Sequence, residues 1–327
     1  MLRKPLWVAV TALISAVAAP AASAAEKVQG YPERPIRVVV PFPPGGGTDI
    51  VTRTIQPALA SRLGQQVVID NRGGAQGIVG TQIAATAAAD GYTLVIAEIG
   101  ATAIGPALTP NVPFDVTRDF APISQLIVQP YIMSVSSSVP AKTVAEFVKL
   151  AQSKPGALNY GSGNVTAHVM QEVFFRAAKI QLQHIPYKGS GPSVQALVQN
   201  EVQTIFSGPG AAIPQIKAGR LRALAVTTLK RSRELPDAPT LDESGYKGFE
   251  ISGWYGIMAP AKTPRPIVNR LNADISAVLT SGETPKLLMT RGYDPTPTSP
   301  EAFTQYLQAE VRRWTKAVKD YGIKSID

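Results

Sequence analysis

The sequence predicts an α/β protein of two lobes with a ligand cleft between them, and three observations carry the prediction. Short β-branched strands alternate with Gly-rich or Pro-rich loops and helices from Pro35 onward, the pattern of helices layered on largely parallel sheets. With 327 residues, 45% of them hydrophobic, the chain can fill two cores, the better expectation above about 250 residues. Two extended segments, Gln129–Pro140 and Gly253–Pro260, are flanked by loop-like sequence and read as crossings between lobes. The expected division is a discontinuous lobe of residues 30–129 plus 254–327 and a second lobe of residues 130–253. Two crossings beside a hinge permit closure over a ligand.

The first 24 residues read as a cleaved export signal. Arg3 and Lys4 precede an apolar run from Leu6 to Ala19, and Ala22, Ser23 and Ala24 form a small-residue cleavage site. That run is short for a membrane span, which needs about 18 apolar residues or more, and no other stretch reaches that length. The mature chain is therefore expected in the periplasm. It contains no cysteine, which excludes disulfides, thiolate metal sites, a thiol nucleophile and a lipoprotein anchor. The net charge of +9 is spread over dispersed Lys and Arg, which suits attraction of anionic solutes better than binding of nucleic acid.

Each element follows from local pattern. Ile36–Val40 is a buried strand, and Pro41-Phe42-Pro43-Pro44-Gly45-Gly46-Gly47-Thr48-Asp49 is a tight turn into a helix that Thr48 or Asp49 can cap. Next come strand Val67–Asp70, loop Asn71–Gly77, helix Ile78–Ala88 and strand Tyr92–Ala97. A helix is expected over Thr143–Ser153. Strand Leu158–Tyr160 then leads through Gly161–Thr166 into helix Ala167–Ala178, and Gln183–Tyr187 through Lys188–Pro192 into helix Ser193–Gln199. Val202–Phe206, loop Ser207–Gly210, a short helix near Ile213–Ala218 and strand Leu221–Val226 complete the run. Two amphipathic helices close the chain: Pro266–Ser281, with Ile267, Leu271, Ile275 and Leu279 on one face, and Pro300–Tyr321, with Phe303, Leu307, Val311, Trp314 and Val318.

Three loops carry candidate binding chemistry. Phe42 and the backbone of Gly45, Gly46, Gly47 and Thr48 form a cradle of N–H groups at the positive end of a helix, suited to a small anion. The loop matches neither the mononucleotide nor the dinucleotide glycine motif. In the second loop Ser162 and Thr166 offer hydroxyls and Asn164 an amide; either hydroxyl can instead cap the helix, Thr166 being well placed to do so. In the third, Lys188 is a possible counter-charge to an acid, and Tyr187 either packs or lines the cleft. Glu98 ends a strand where a side chain can enter the pocket; a carboxylate there disfavours a nearby anion and favours an amide, amine or protonated ring. Catalytic patterns are poor: His168 and His184 lack further ligands at metal-like spacing, no G-x-S-x-G elbow is present, and a triad of Ser162, His168 and a distant acid is only imaginable. No cofactor, metal or enzyme activity is expected.

The ordered motifs Tyr31–Asp49, Asp70–Ala75, Ala89–Leu94, His184–Gly189, Gly219–Val226, Leu235–Thr240 and Trp254–Pro260 closely resemble the Bug/TctC family of extracytoplasmic solute-binding receptors, over essentially the whole mature chain. The resemblance implies a periplasmic-binding-protein fold of type II-like architecture, and a small carboxylate held between the first two loops. It also implies delivery to a membrane permease made of a large and a small subunit, by a receptor expected to be a monomer. Three departures from the family pattern stand out: a short loop between Tyr160 and His168, glycine in Asn71-Arg72-Gly73-Gly74 where proline is usual, and Glu98 where a small or neutral residue is expected. The last points away from a simple tricarboxylate. The competing expectations are a ligand-dependent partner of a membrane sensor and, least favoured, a secreted serine hydrolase.

Overall fold

The computed structural model describes residues 30–109 and 111–323, so the export signal expected over residues 1–24 lies outside the described residues. The first part of the chain runs β1 (Ile36–Val40), α1 (Gly47–Leu63), β2 (Val67–Asn71), α2 (Ile78–Ala85), β3 (Thr93–Glu98), α3 (Gly105–Leu108) and β4 (Phe120–Pro130). The middle runs β5 (Ile132–Ser136), α4 (Val144–Ser153), β6 (Asn159–Ser162), α5 (Val165–Ala178), β7 (Gln183–Pro186), α6 (Ser190–Val198), β8 (Thr204–Ser207), α7 (Pro209–Lys217) and β9 (Leu221–Val226). The last part runs β10 (Ser252–Pro260), α8 (Arg265–Thr280), α9 (Thr284–Met289), β11 (Asp294–Pro295) and α10 (Pro300–Tyr321).

These strands form two sheets, ordered β11-β4-β10-β3-β1-β2 and β7-β6-β8-β5-β9. Both are mixed rather than largely parallel. The β-branched run of β1 pairs in parallel with β2 and β3, and β6 pairs in parallel with β7 and β8. In contrast β10 is antiparallel to β3 and β4, and β5 is antiparallel to β8 and β9. The strand that enters each sheet after a passage, β5 in one and β10 in the other, runs against the parallel set, whereas β4 and β9, from which the chain leaves, run with it.

The passage out is Tyr131, between β4 and β5; the return lies in residues 227–251, so Gly253–Pro260 belongs wholly to β10. Thr227 ties the two passages together. Its N–H donates to the Tyr131 carbonyl (3.0 Å), its hydroxyl accepts from the Tyr131 N–H (3.0 Å) and donates to the Ile251 carbonyl (2.6 Å), and its own carbonyl accepts from Ile251 N–H (3.0 Å). Thr227 is completely buried.

One apolar core lies on the first sheet, where Val51, Ile55 and Leu59 of α1 meet Leu271 and Ile275 of α8 at helical spacing. A second, larger one is continuous across both sheets, from Val95 and Ile99 through Tyr131 and Met133 to Phe174, Phe206 and Trp314. Phe303 and Trp314 on the α10 stripe are buried, and each large side chain removed from water contributes roughly 1.5–3 kcal/mol. Gly256 of β10 lies directly beneath the Phe303 ring, where a Cβ would overlap it.

Candidate functional site

A cavity of about 480 Å³ lies between the two sheets, at the carboxyl ends of their parallel strands. Open α/β sheets place ligand sites at such ends, because the loops there lead into helix N-termini. Four helices start at this cavity: α1 after the loop from β1, α5 after β6, α6 after β7 and α7 after β8. Each start carries roughly half a positive charge and up to four N–H groups without an intrahelical partner. Gly46, Gly189 and Gly208 are the N-caps of α1, α6 and α7 and supply no side-chain acceptor. A serine or aspartate at those caps would occupy an N–H; glycine leaves it for a ligand.

Phe42, Gly45, Gly46, Gly47 and Thr48 line the cavity on the first sheet's side, Asn164 and Lys188 on the other, and Glu98 reaches it from the end of β3. Asp49 does not cap α1 as expected. Its carboxylate turns back to accept from the Gly45 N–H (2.9 Å), from Arg53 Nε (2.9 Å) and from Asn71 Nδ2 (3.1 Å). Burial pushes this carboxyl up, but those donors outweigh it and hold it below the ordinary range, so it braces the turn as an anion. Gly47 lies against the hydroxyls of Tyr255 and Tyr293, and a Cβ there would overlap the Tyr255 hydroxyl. Tyr255 is buried and held by Gln129, so Gly47→Ala is expected to destabilise the protein by about 1–3 kcal/mol. Urea unfolding checks this; an unchanged midpoint would mean that Tyr255 yields freely.

Three expected site residues lie elsewhere. Ser162 is buried and hydrogen-bonded to His184 Nε2 (2.7 Å), not to His168, so the imagined triad does not form. His168 Nδ1 instead meets the Tyr160 hydroxyl (3.0 Å), which donates to Glu172 Oε1 (2.6 Å). The two imidazole rings are 4.3 Å apart between centroids and tilted by 35°, behind the loop rather than in the cavity. Tyr187 packs on the small core under α6 and donates to Glu201 Oε2 (3.3 Å). Thr166 neither caps α5 nor lines the cavity. Asn164 is the cap, accepting from the Ala167 N–H (2.8 Å), while Thr166 Oγ1 donates to Glu98 Oε1 (3.0 Å).

Glu98 is buried, only 3% exposed. Its other oxygen accepts from the backbone N–H groups of Gly100 (2.7 Å) and Ala101 (3.2 Å), which open the π-helical turn Gly100–Ile104. Burial pushes the carboxyl up to about 7, against these three hydrogen bonds. The rest of the wall was not singled out from sequence: Gln129, Tyr131, Tyr255, Tyr293, and the starts of α6 and α7 at Ser190 and Gly208. The repeated strand, glycine loop and helix pattern marks the α7 start as a fourth cradle of the same kind. The tyrosines and Gln129 sit on β4, on β10, at the crossing and beside β11, where nothing in local sequence marks them.

The model of the "Tripartite tricarboxylate transporter family receptor" matches residues 51–323. Protein BugT of Bordetella pertussis is 34% identical over 297 residues, covering 90% of this chain and 91% of the relative. Among solved structures, R. palustris Rpa4515 with adipate superposes with a TM-score of 0.86 at 35% identity, covering 90% of this chain and 99% of that one. MatC (Rpa3494) from Rhodopseudomonas palustris, with bound malate, gives a TM-score of 0.82 at 32% identity, covering 88% and 100%. Among the described residues no helix is long and apolar enough to cross a membrane.

Proposed function

The chain belongs to the tripartite tricarboxylate transporter receptor family, and from that premise we propose that it is an exported receptor that captures a small organic carboxylate and hands it to a membrane permease of that system. The observation that carries the proposal is the convergence of four helix starts, three of them glycine-capped, on one cavity with Lys188 at its edge. Oriented N–H groups in a partly dry cleft bind a carboxylate without a full cation beneath it. In this reading the backbone of Gly46–Thr48 holds one side of the carboxylate, the Gly45 N–H being taken by Asp49, and the α6 and α7 starts hold the other. The neighbours solved with adipate and malate support this ligand class.

In this reading the lobes expected at residues 30–129 plus 254–327 and 130–253 divide instead at the passages, Tyr131 and residues 227–251, and close on the solute about the tie made by Thr227. Direct bonds from Thr166 to Glu98 and from Val165 N–H to Gln76 Oε1 (3.3 Å) join them on the cleft side. The solute leaves unchanged, with no turnover.

The test is thermal unfolding with carboxylates, amino acids and aromatic acids at millimolar concentration. A ligand at about 100 times its Kd stabilises by about 2.7 kcal/mol. At roughly 2–4 °C per kcal/mol for a protein of this size class, the rise is several degrees. Calorimetry should then give one site per chain. The absence of any shift across such a set would sink the receptor reading.

A further inference from the structure

We infer that Glu98 and Gln129 make this cavity select carboxylates whose other end carries N–H donors, an ammonium or a primary amide, over dicarboxylates. The inference rests on the receptor reading above and deepens it.

Two unfilled acceptors at one end of the first sheet carry it; a third in the wall, Gln215 Oε1, lies apart from them on α7. Glu98 ends β3 opposite Tyr255 of β10, and Gln129 stands opposite Gly253 on the next strand, so all three lie at one end of the first sheet. A carboxylate has about four lone-pair positions. Thr166, Gly100 and Ala101 fill three of those on Glu98 and leave one. Gln129 is 1% exposed, gives its Nε2 to the Tyr255 hydroxyl (2.9 Å), and has no partner for Oε1. A buried carbonyl without a donor is costly and uncommon.

The charges agree. Thr166, two backbone N–H groups and the phenols of Tyr131 and Tyr255 are what faces Glu98; burial pushes both phenols up, so they stay neutral, and no cation acts on the carboxyl. The cavity therefore has two unlike walls. The helix starts are rich in donors and suit a carboxylate. The wall of Glu98 and Gln129 is rich in acceptors and repels a second carboxylate. A hydroxyl brings one donor to these two acceptors, whereas an amide brings two and an ammonium three.

The experiment is calorimetric titration at pH 8, where Glu98 is mostly ionised, with adipate, its monoamide adipamate and 6-aminohexanoate, and with the equivalent four- and five-carbon sets. Wild type is expected to bind an N–H-bearing member at least tenfold tighter than the dicarboxylate of the same length. Glu98→Gln keeps the side-chain shape, and is expected to remove most of that preference by gaining affinity for the dicarboxylate. Gln129→Met is expected to weaken the N–H-bearing members three- to tenfold without that gain. A preference for 6-aminohexanoate over adipamate identifies an ion pair with Glu98, and the reverse a neutral donor. Dicarboxylates that bind wild type as tightly as their partners, with no change in Glu98→Gln, overturn this inference and leave the receptor reading standing. No binding of any member to either protein overturns this inference, and the broader thermal screen above decides the receptor reading.

Discussion

Gly163→Ala is expected to destabilise the protein by about 3 kcal/mol and to weaken solute binding at least tenfold. A Cβ at Gly163 would lie 2.5 Å from the Ser190 nitrogen and would overlap the Gly189 carbonyl. Overpacking against side chains costs about 1–3 kcal/mol, and here the obstacle is backbone, which has no rotamer to change. The backbone is also pinned: β6 and β7 pair in parallel up to Ser162 and Pro186, and the Tyr187 N–H donates to the Ser162 carbonyl (2.9 Å). Relief therefore means separating the second loop from the third, and both line the cavity. Gly191→Ala is the control. A Cβ there meets nothing, and the residue lies in the first turn of α6, so its stability should stay within about 0.5 kcal/mol of wild type. Urea unfolding of both variants and titration of Gly163→Ala check this, and equal stability of the two variants would refute it.

The second large effect is hidden in the wild-type protein. Burial, and then His168, push His184 from 6.5 down to about 4, against a smaller opposing pull from Glu172, while burial pushes Glu98 from 4.5 up to about 7. The folded pKa of Glu98 is raised, so the stability it contributes is complete below about 4.5 and is lost as pH rises to about 7. The folded pKa of His184 is lowered, so its contribution is complete above about 6.5 and is lost as pH falls to about 4. Between these limits the folded chain holds one proton on Glu98 and the unfolded chain one on the histidine. The two slopes cancel.

Glu98→Gln should expose the histidine slope, with stability rising by up to about 1.4 kcal/mol per pH unit from pH 4.5 to 6.5. His184→Asn should expose the opposite slope over pH 4.5 to 7. Lowered carboxyls such as Asp49 and Asp70 titrate below this window and are shared by all three proteins. Urea unfolding across the window decides the matter: parallel pH profiles for wild type and both variants would refute the compensation.

Much of this architecture is legible in sequence because its signals are local. The β-branched run of β1, the glycines after it and the i+4 stripes of α8 and α10 each act within a dozen residues. What was not legible depends on register between distant strands. Gln129 meets Tyr255 only because β4 and β10 pair antiparallel, and their bond joins residues 126 positions apart. The same limit explains Thr166 and Ser162. Their hydroxyls suit a ligand or a cap on local grounds, yet one is taken by Glu98 and the other by His184 from elsewhere in the chain. Asn164, at the first residue that can cap, takes the cap, and α5 starts two residues earlier than its apolar pattern suggests.

Thr227 has a mechanical consequence. Each passage between the sheets is a single strand of chain, and two separate strands would let the halves slide, twist and splay in several directions. Bonded to both Tyr131 and Ile251, Thr227 welds the pair into one crosspiece. Splaying would tear four buried hydrogen bonds, each leaving polar groups without water to replace the lost partner. Rotation about the line through the crosspiece leaves all four intact. A closure of the proposed kind therefore has one turning axis that costs none of these bonds, and that axis runs beside the cavity.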